Sequence, residues 1–226
     1  MATQSSSSTT ATTTNPHVVL LDNQDSFVYN LVDALSGYNT TVMRNTVSVE
    51  EVLAAKPDLI VLSPGPGHPT EAGCMMQLID ATLGRIPILG ICLGFQALLE
   101  YHGGTVAPCG PVHGTTDTMT LTEHGTSHPV FAGLSTDIEP DLPDHVGTQV
   151  PVARYHSLGC IALPAGMRSL AHIDDIIMAA ETTNGMAMGM QFHPESVLTP
   201  TGPIMLERCI EKLASAQATR TPKCSH

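Results

Sequence analysis

The sequence has no tryptophan and only four phenylalanines and four tyrosines in 226 residues. Single-stranded nucleic acids bind on stacked aromatic rings, and a chain this poor in rings lacks that platform. Positive charge is scarce too: nine Lys and Arg against 21 Asp and Glu leave a net charge of −12. A surface of that sign repels phosphate backbones and anionic membranes. Charged residues make up only 13% of the chain and hydrophobic residues 42%, the opposite of a disordered composition. Long apolar runs are missing; the longest, Ile86 to Leu99, is broken by Pro87, Gly90, Gly94 and Gln96 and is too short to span a bilayer. The six cysteines (Cys74, Cys92, Cys109, Cys160, Cys209 and Cys224) contain no CxxC and follow no secretory signal. Free thiols in the reducing cytoplasm are therefore expected, not a disulfide framework. The histidines give no zinc spacing either. His102, Cys109 and His113 match none, so no metal is expected.

What is present sorts into three stretches. Ten of the first sixteen residues are Ser or Thr, with no Lys or Arg before Arg44, so residues 1–16 read as a disordered polar leader. Residues 215–226 read as a flexible C-terminal tail. The folded body is expected over 17–214, a length that suits one large domain.

Within that body, apolar runs alternate with helical patterns. Val18 to Leu21 is a continuous run of the buried-strand type. Ser26 is placed to cap a helix carrying Phe27, Leu31, Val32 and Leu35, with Gly37 as its stop. Strands follow at Thr41–Met43, Asp58–Leu62 and Pro87–Ile91, with helices expected over Val49–Ala55, Glu71–Leu83 and Phe95–Tyr101. This alternation predicts an α/β fold: a mostly parallel sheet covered by helices on both faces. From Thr105 to Met190 the runs are short and broken by Gly and Pro, which predicts a smaller antiparallel part. Ligands of such sheets bind at the C-terminal ends of the strands, and three segments ending there carry unusual chemistry.

In Gly90-Ile91-Cys92-Leu93-Gly94 a buried strand runs straight into a helix, with a nucleophile between two glycines. The pattern is that of a nucleophile elbow with Cys in place of Ser. Its glycines remove the Cβ atoms that would collide in so tight a turn, and a helix N-terminus favours the thiolate. A buried structural cysteine is the plainer alternative. In Gln191-Phe192-His193-Pro194-Glu195-Ser196, residues two apart point the same way in extended chain. His193 and Glu195 then share a face, suited to an imidazole base and the carboxylate that orients it; alone, the pair would equally be a surface His beside a Glu. In Ser63-Pro64-Gly65-Pro66-Gly67 the prolines lack N–H, so the amides of Gly65 and Gly67 are the only donors their rings hold in place. Such amides suit an oxyanion, with the amide of Leu93 as the second donor. A plain strand-to-helix turn would carry the same residues.

Together these segments closely resemble the class I (triad) glutamine amidotransferases over about residues 17–214. The resemblance implies a flavodoxin-like sheet and a chain in which Cys92 attacks the side-chain amide of glutamine. It implies His193 as base and then acid, Glu195 as its orienter, and an oxyanion site at the SPGPG loop (Gly65, Pro66, Gly67) and Leu93. Gln96 and the backbone of Ser157 and Leu158, in Arg154-Tyr155-His156-Ser157-Leu158, resemble the groups that hold glutamine.

Within the family, Leu21 to Asn30, Arg154 to Leu158 and His193 to Leu198 resemble the subunits that pass ammonia to chorismate-binding synthases. Those forming anthranilate, in tryptophan biosynthesis, match better than those forming 4-amino-4-deoxychorismate, in folate biosynthesis. The implied setting is a cytoplasmic heteromeric complex with a larger chorismate-binding lyase subunit. No cofactor is implied on this chain, and magnesium is implied on the partner. Two departures stand out: His113-Gly114-Thr115 where the family commonly has His-Gly-Lys, and a longer, acidic link from Ser135 to Val150. A stand-alone γ-glutamyl thiol hydrolase and a non-catalytic regulatory subunit are the alternatives. A Cys-type α/β-hydrolase fits less well, because its acid precedes its histidine and here the acid follows.

Overall fold

A computed structural model of the chain describes residues 15–112, 114–138 and 146–220, with side chains through 217. Most of the expected leader, His113, the acidic residues Glu139, Asp141 and Asp144, and the tail beyond Arg220 lie outside the described residues.

The first half delivers strands and helices in strict alternation: β1 (His17–Asp22), α1 (Val28–Ala34), β2 (Asn39–Arg44), α2 (Val49–Ala54), β3 (Leu59–Leu62), α3 (Met75–Thr82), β4 (Ile88–Ile91) and α4 (Leu93–Tyr101). Then come β5 (Ala107–Pro108), β6 (Thr115–Leu121), the single turn α5 (Glu123–Thr126), β7 (Gln149–Arg154), β8 (Leu158–Gly159), β9 (Met167–Ile173), β10 (Ile176–Thr182), β11 (Ala187–Met190) and α6 (Gly202–Arg220). Nine strands form one sheet in the order β2-β1-β3-β4-β11-β10-β9-β6-β7, and β5 with β8 forms a second, two-stranded one. β2, β1, β3, β4 and β11 run parallel. From β10 outward every pairing is antiparallel. The parallel and antiparallel readings both describe this sheet, with the antiparallel strands continuing the parallel ones edge to edge.

Apolar burial explains the central strands. Every residue of β3 and β4 is buried, as expected of strands covered on both faces. Helix α4 is buried from Leu93 through Leu99, with Phe95, Ala97, Leu98 and Leu99 fully enclosed. A helix buried over so many consecutive residues, and so on every side, belongs in the core, and this one carries the elbow cysteine at its start.

Three local expectations are corrected. Ser26 does not cap α1: the N-cap is Phe27, without a side-chain hydrogen bond. Asp25 takes the turn instead, its Oδ1 accepting from the Phe27 amide at 2.6 Å. The helix expected over Glu71–Leu83 is split into a 3-10 turn at Pro69–Glu71 and α3. Gly73 between them has φ +55°, and a Cβ there would strike the Asn45 carbonyl, so the chain breaks to pass a neighbouring loop. At the other end, α6 continues through Arg220, past the boundary expected at 214. Its first-turn proline, Pro203, has no amide to leave unpaired and is tolerated there.

Candidate active site

Cys92 sits at the junction of β4 and α4 with φ +49° and ψ −102°, a strained backbone for a residue with a Cβ. Both flanking glycines are needed for it. A Cβ on Gly90 would lie 2.6 Å from the Gly94 backbone, and one on Gly94 would strike the Leu62 carbonyl of β3. The strain lifts the sulfur to the C-terminal edge of the sheet at the first turn of a buried helix, where the helix dipole favours negative charge.

β11 runs beside β4 in parallel register, pairing Met190 with Ile91. The residues just after β11 therefore arrive next to Cys92. His193 is pinned there by backbone: its amide donates to the Ala153 carbonyl at 3.1 Å, and its own carbonyl accepts from the Thr199 hydroxyl at 2.8 Å. The Nδ1 of His193 lies 2.7 Å from Glu195 Oε1, and both side chains are almost wholly buried. The second carboxylate oxygen, Oε2, has no hydrogen-bond partner among the described residues. An unpaired carboxylate so deeply buried would be costly, so imidazolium is the form of His193 that balances it. Burial opposes charging His193, but the Cys92 thiolate, by charge and hydrogen bond, and the Glu195 carboxylate outweigh it and raise His193 above the ordinary histidine range. Phe27 and Tyr155 pack against the ring with centroids 5.3 and 5.0 Å away.

The SPGPG loop reaches the same edge from β3. A Cβ on Gly65 would lie 2.6 Å from Asn23 Cβ and 2.7 Å from Leu93 Cδ2, so glycine is what lets this loop press against the elbow. The loop is held by Asn23, whose backbone amide donates to Ser63 Oγ and whose Nδ2 donates to the Ser63 carbonyl, both at 2.8 Å. Pro66 and Gly67 lie at the surface, and a Cβ on Gly67 would meet only Glu71, so of this loop's expected donors Gly65 is the one beside the elbow.

Gln96 lies one turn into α4 and is buried. Its Nε2 donates to the Leu158 carbonyl at 2.9 Å and to Gln191 Oε1 at 3.1 Å. Gln191 in turn directs its Nε2 at Cys92 Sγ, 3.7 Å away. Ser157 is exposed, with its carbonyl accepting the Cys109 amide at 2.9 Å. Thus Cys92, His193, Glu195, Gly65, Leu93, Gln96 and Leu158 gather at one edge of the sheet. Asn23, Gln191, Phe27 and Tyr155 belong with them and are missing from the candidates read from sequence. Gln191 alone had a signal, lying two residues before His193 and so on the same side of extended chain.

Elsewhere the acidic link finds a structural use where it is described. Asp137 accepts from the amides of Thr148 and Gln149 at 2.8 Å each, and these bonds hold its carboxyl below the usual range. Among the described residues no three His, Cys, Asp or Glu side chains converge as metal ligands, and no helix is long and apolar enough to cross a membrane.

Comparison with known proteins agrees with this geometry. The family model described as glutamine amidotransferase class-I matches residues 19–213. Anthranilate synthase component 2 of Corynebacterium glutamicum is 66% identical over 203 residues, 87% of this chain and 98% of that protein. The pyocyanine-specific anthranilate synthase component 2 of Pseudomonas aeruginosa is 41% identical, over 85% of this chain and 92% of that one. A glutamine amidotransferase structure from Thermotoga maritima superposes with a TM-score of 0.59 at 18% identity, covering 91% of this chain and 97% of the other, and so shares the fold. A cysteine elbow, a buried His–Glu pair beside it, and matches spanning nearly the whole body place this chain in the class-I glutamine amidotransferase family, among the anthranilate synthase component 2 proteins.

Proposed function

We propose that this chain is the glutaminase subunit of an anthranilate synthase. The observation that carries the reading is Cys92, strained onto the sheet edge beside an imidazole that Glu195 holds at 2.7 Å. Likeness to component 2 proteins at 66% and 41% identity supports the choice of pathway.

The chemistry follows from the groups present. The Cys92 sulfur attacks the side-chain carbonyl carbon of glutamine, and the amides of Gly65 and Leu93 receive the developing oxyanion. As the tetrahedral intermediate collapses, the C–N bond breaks, the His193 imidazolium protonates the departing nitrogen, and ammonia leaves a γ-glutamyl thioester. Water then attacks the thioester, His193 takes its proton, glutamate leaves, and Cys92 is restored. Glu195 keeps the imidazole in one orientation and offsets its charge. The amide of Gln96 and the backbone of Ser157 and Leu158 hold the amino-acid end of the substrate. Ammonia released into water would be protonated and lost as a nucleophile, so the subunit docks on a chorismate-binding synthase that consumes it in place. In this reading the complex is cytoplasmic and any magnesium it uses belongs with that partner.

The test is co-purification of the partner followed by product analysis. Glutamine and chorismate should give anthranilate, and Cys92→Ser should abolish that activity while ammonia-dependent turnover by the complex persists. Formation of 4-amino-4-deoxychorismate alone would overturn the pathway. Full glutamine hydrolysis by the isolated chain, unchanged by the partner, would favour a stand-alone thiol hydrolase.

A further inference from the structure

The molecule holds a second cysteine and histidine near each other, and neither has a role in the chemistry above. Cys109 Sγ lies 3.7 Å from His156 Nδ1, and His156 is only 4% exposed. The arrangement looks like a spare dyad, yet its proton positions forbid that role. Arg154 Nε donates to His156 Nε2 at 3.2 Å. A guanidinium can only donate, so Nε2 must carry the lone pair and the single ring proton must sit on Nδ1. That proton points to the Leu158 carbonyl, 3.0 Å away. The nitrogen nearest Cys109 therefore has no lone pair with which to accept a thiol proton.

The same fixed polarity continues in both directions. Outward, Arg154 NH1 contacts Asp117 Oδ2 at 2.7 Å, where the Arg154 side chain is 8% exposed and that of Asp117 is 40% exposed. Inward, the Leu158 carbonyl also accepts Gln96 Nε2, which fixes which end of the Gln96 amide faces it. With its two N–H groups committed to Leu158 and Gln191, Gln96 has only its carbonyl oxygen to offer a ligand. Gln191, accepting from Gln96 through Oε1, is left with an N–H facing the Cys92 sulfur.

We infer that His156 is a positioning residue: held as the Nδ1–H tautomer by Arg154 and Asp117, it fixes the Leu158 carbonyl and, through it, the Gln96 and Gln191 amides that face glutamine and Cys92. The relay begins at a half-exposed carboxylate on β6 and ends at the nucleophile. It ties the antiparallel part of the sheet to the site built on the parallel part. This inference rests on the proposed roles of Gln96 and Leu158 in holding glutamine.

The test uses the full chain and a glutamine-mimicking chloroketone that alkylates Cys92, with the half-saturating concentration read separately from the maximal labelling rate. His156→Leu removes both bonds of the imidazole and should raise the half-saturating concentration roughly tenfold, as expected for losing buried hydrogen bonds to a charged partner. Labelling by iodoacetamide, which has no amino-acid end to be held, should change by less than about threefold, since only the chloroketone draws on the binding groups. His156→Asn keeps a donor near Nδ1 and should recover most of the loss. Asp117→Ala, at the exposed end, should raise the value about threefold and is not expected to threaten folding, so it decides the matter if His156→Leu does not fold. Unchanged half-saturation in both His156→Leu and Asp117→Ala would overturn the inference. So would iodoacetamide labelling that falls in step with the chloroketone. Failure of the wild-type chain to show saturable labelling at Cys92 would instead overturn the proposed function.

Discussion

Two cysteine–histidine pairs lie close to one another in this fold, and they are opposites. Behind His193 stands the carboxylate of Glu195 at 2.7 Å; behind His156 stands the guanidinium of Arg154 at 3.2 Å. The first imidazole is raised by the negative charges around it, with burial opposing. The second is pushed down to about 4, by burial first and then by the positive charges of Arg154 and His193, with the Leu158 carbonyl working the other way. Their cysteines differ in setting. Cys92 sits on a strained turn at a helix N-terminus, whereas burial pushes the Cys109 thiol up. Residue types are alike in the two pairs. In the proposed roles, the sign of the charge behind the ring decides which imidazole exchanges protons with a thiol and which holds a backbone carbonyl in place.

The largest expected effect that could break this contrast is removal of each sulfur in turn. Cys92→Ser should lower glutamine hydrolysis by roughly 10⁴-fold or more. Cys109→Ser should leave it within about twofold, because its thiol has no proton acceptor in His156. Comparable losses from both substitutions, in steady-state assays of the full complex, would erase the distinction.

Next in size is the pair His193 and Glu195. His193→Ala removes the base and acid and should cost on the order of 10²–10⁴ in single-turnover thioester formation. Glu195→Ala should cost less, since the ring remains although less well held. The reverse order would mean that the carboxylate does more than orient.

Much of this was legible in the sequence, and what was not has a physical reason. The elbow is legible because three consecutive demands (a buried strand, a nucleophile, a glycine on each side) are local and leave few residue choices. His193 and Glu195 are legible because a spacing of two has a fixed meaning in extended chain. His156 was not, because its role depends on a guanidinium two residues before it and a carbonyl two residues after it, arranged by a bend that no local pattern announces. Gln191 was legible only in part: its spacing from His193 puts it on the same side of the chain, but nothing in sequence says that its amide meets Gln96, 95 positions away. The break at Gly73 was hidden because the obstacle is the Asn45 carbonyl, on a loop distant in sequence.

A subtler check sharpens the contrast by exchanging only charge. Glu195→Gln keeps a hydrogen-bonding group beside His193 but removes the negative charge, so the imidazole should titrate lower than in the wild-type protein. His156, facing Arg154, His193 and Cys109, should remain neutral with its proton on Nδ1 until the pH approaches 4. Nitrogen chemical shifts of the two rings report both. Because His156 titrates lower in the folded chain than the 6.5 of a free histidine, its contribution to stability is full above about 6.5 and is lost as pH falls toward 4.

The smallest effect concerns a third histidine, which meets a carboxylate. His128 Nε2 lies 3.4 Å from Glu181 Oε2, which also accepts from Lys212 Nζ at 2.6 Å. Burial pushes the Glu181 carboxyl up, but the neighbouring His128 and the hydrogen bond and charge of Lys212 overcome this and lower it to about 2. A depressed carboxyl stabilises the fold above the ordinary value of 4.5, and that stability is lost as pH falls through about 2. Glu181→Gln should therefore melt a few degrees lower at neutral pH, with the gap closing in acid, while glutamine turnover hardly changes. A turnover loss matching that of Glu195→Ala would show that carboxylate–histidine pairing alone, without the neighbouring thiol, governs the chemistry.

Mass mapping after limited labelling with a glutamine-mimicking chloroketone shows which thiol of this chain is the nucleophile for a glutamine-like substrate. A single adduct on Cys92 is expected, formed ahead of any on the other five cysteines, Cys74, Cys109, Cys160, Cys209 and Cys224, and slowed by added glutamine. Faster labelling of Cys109, or labelling of Cys92 that glutamine does not slow, would contradict it.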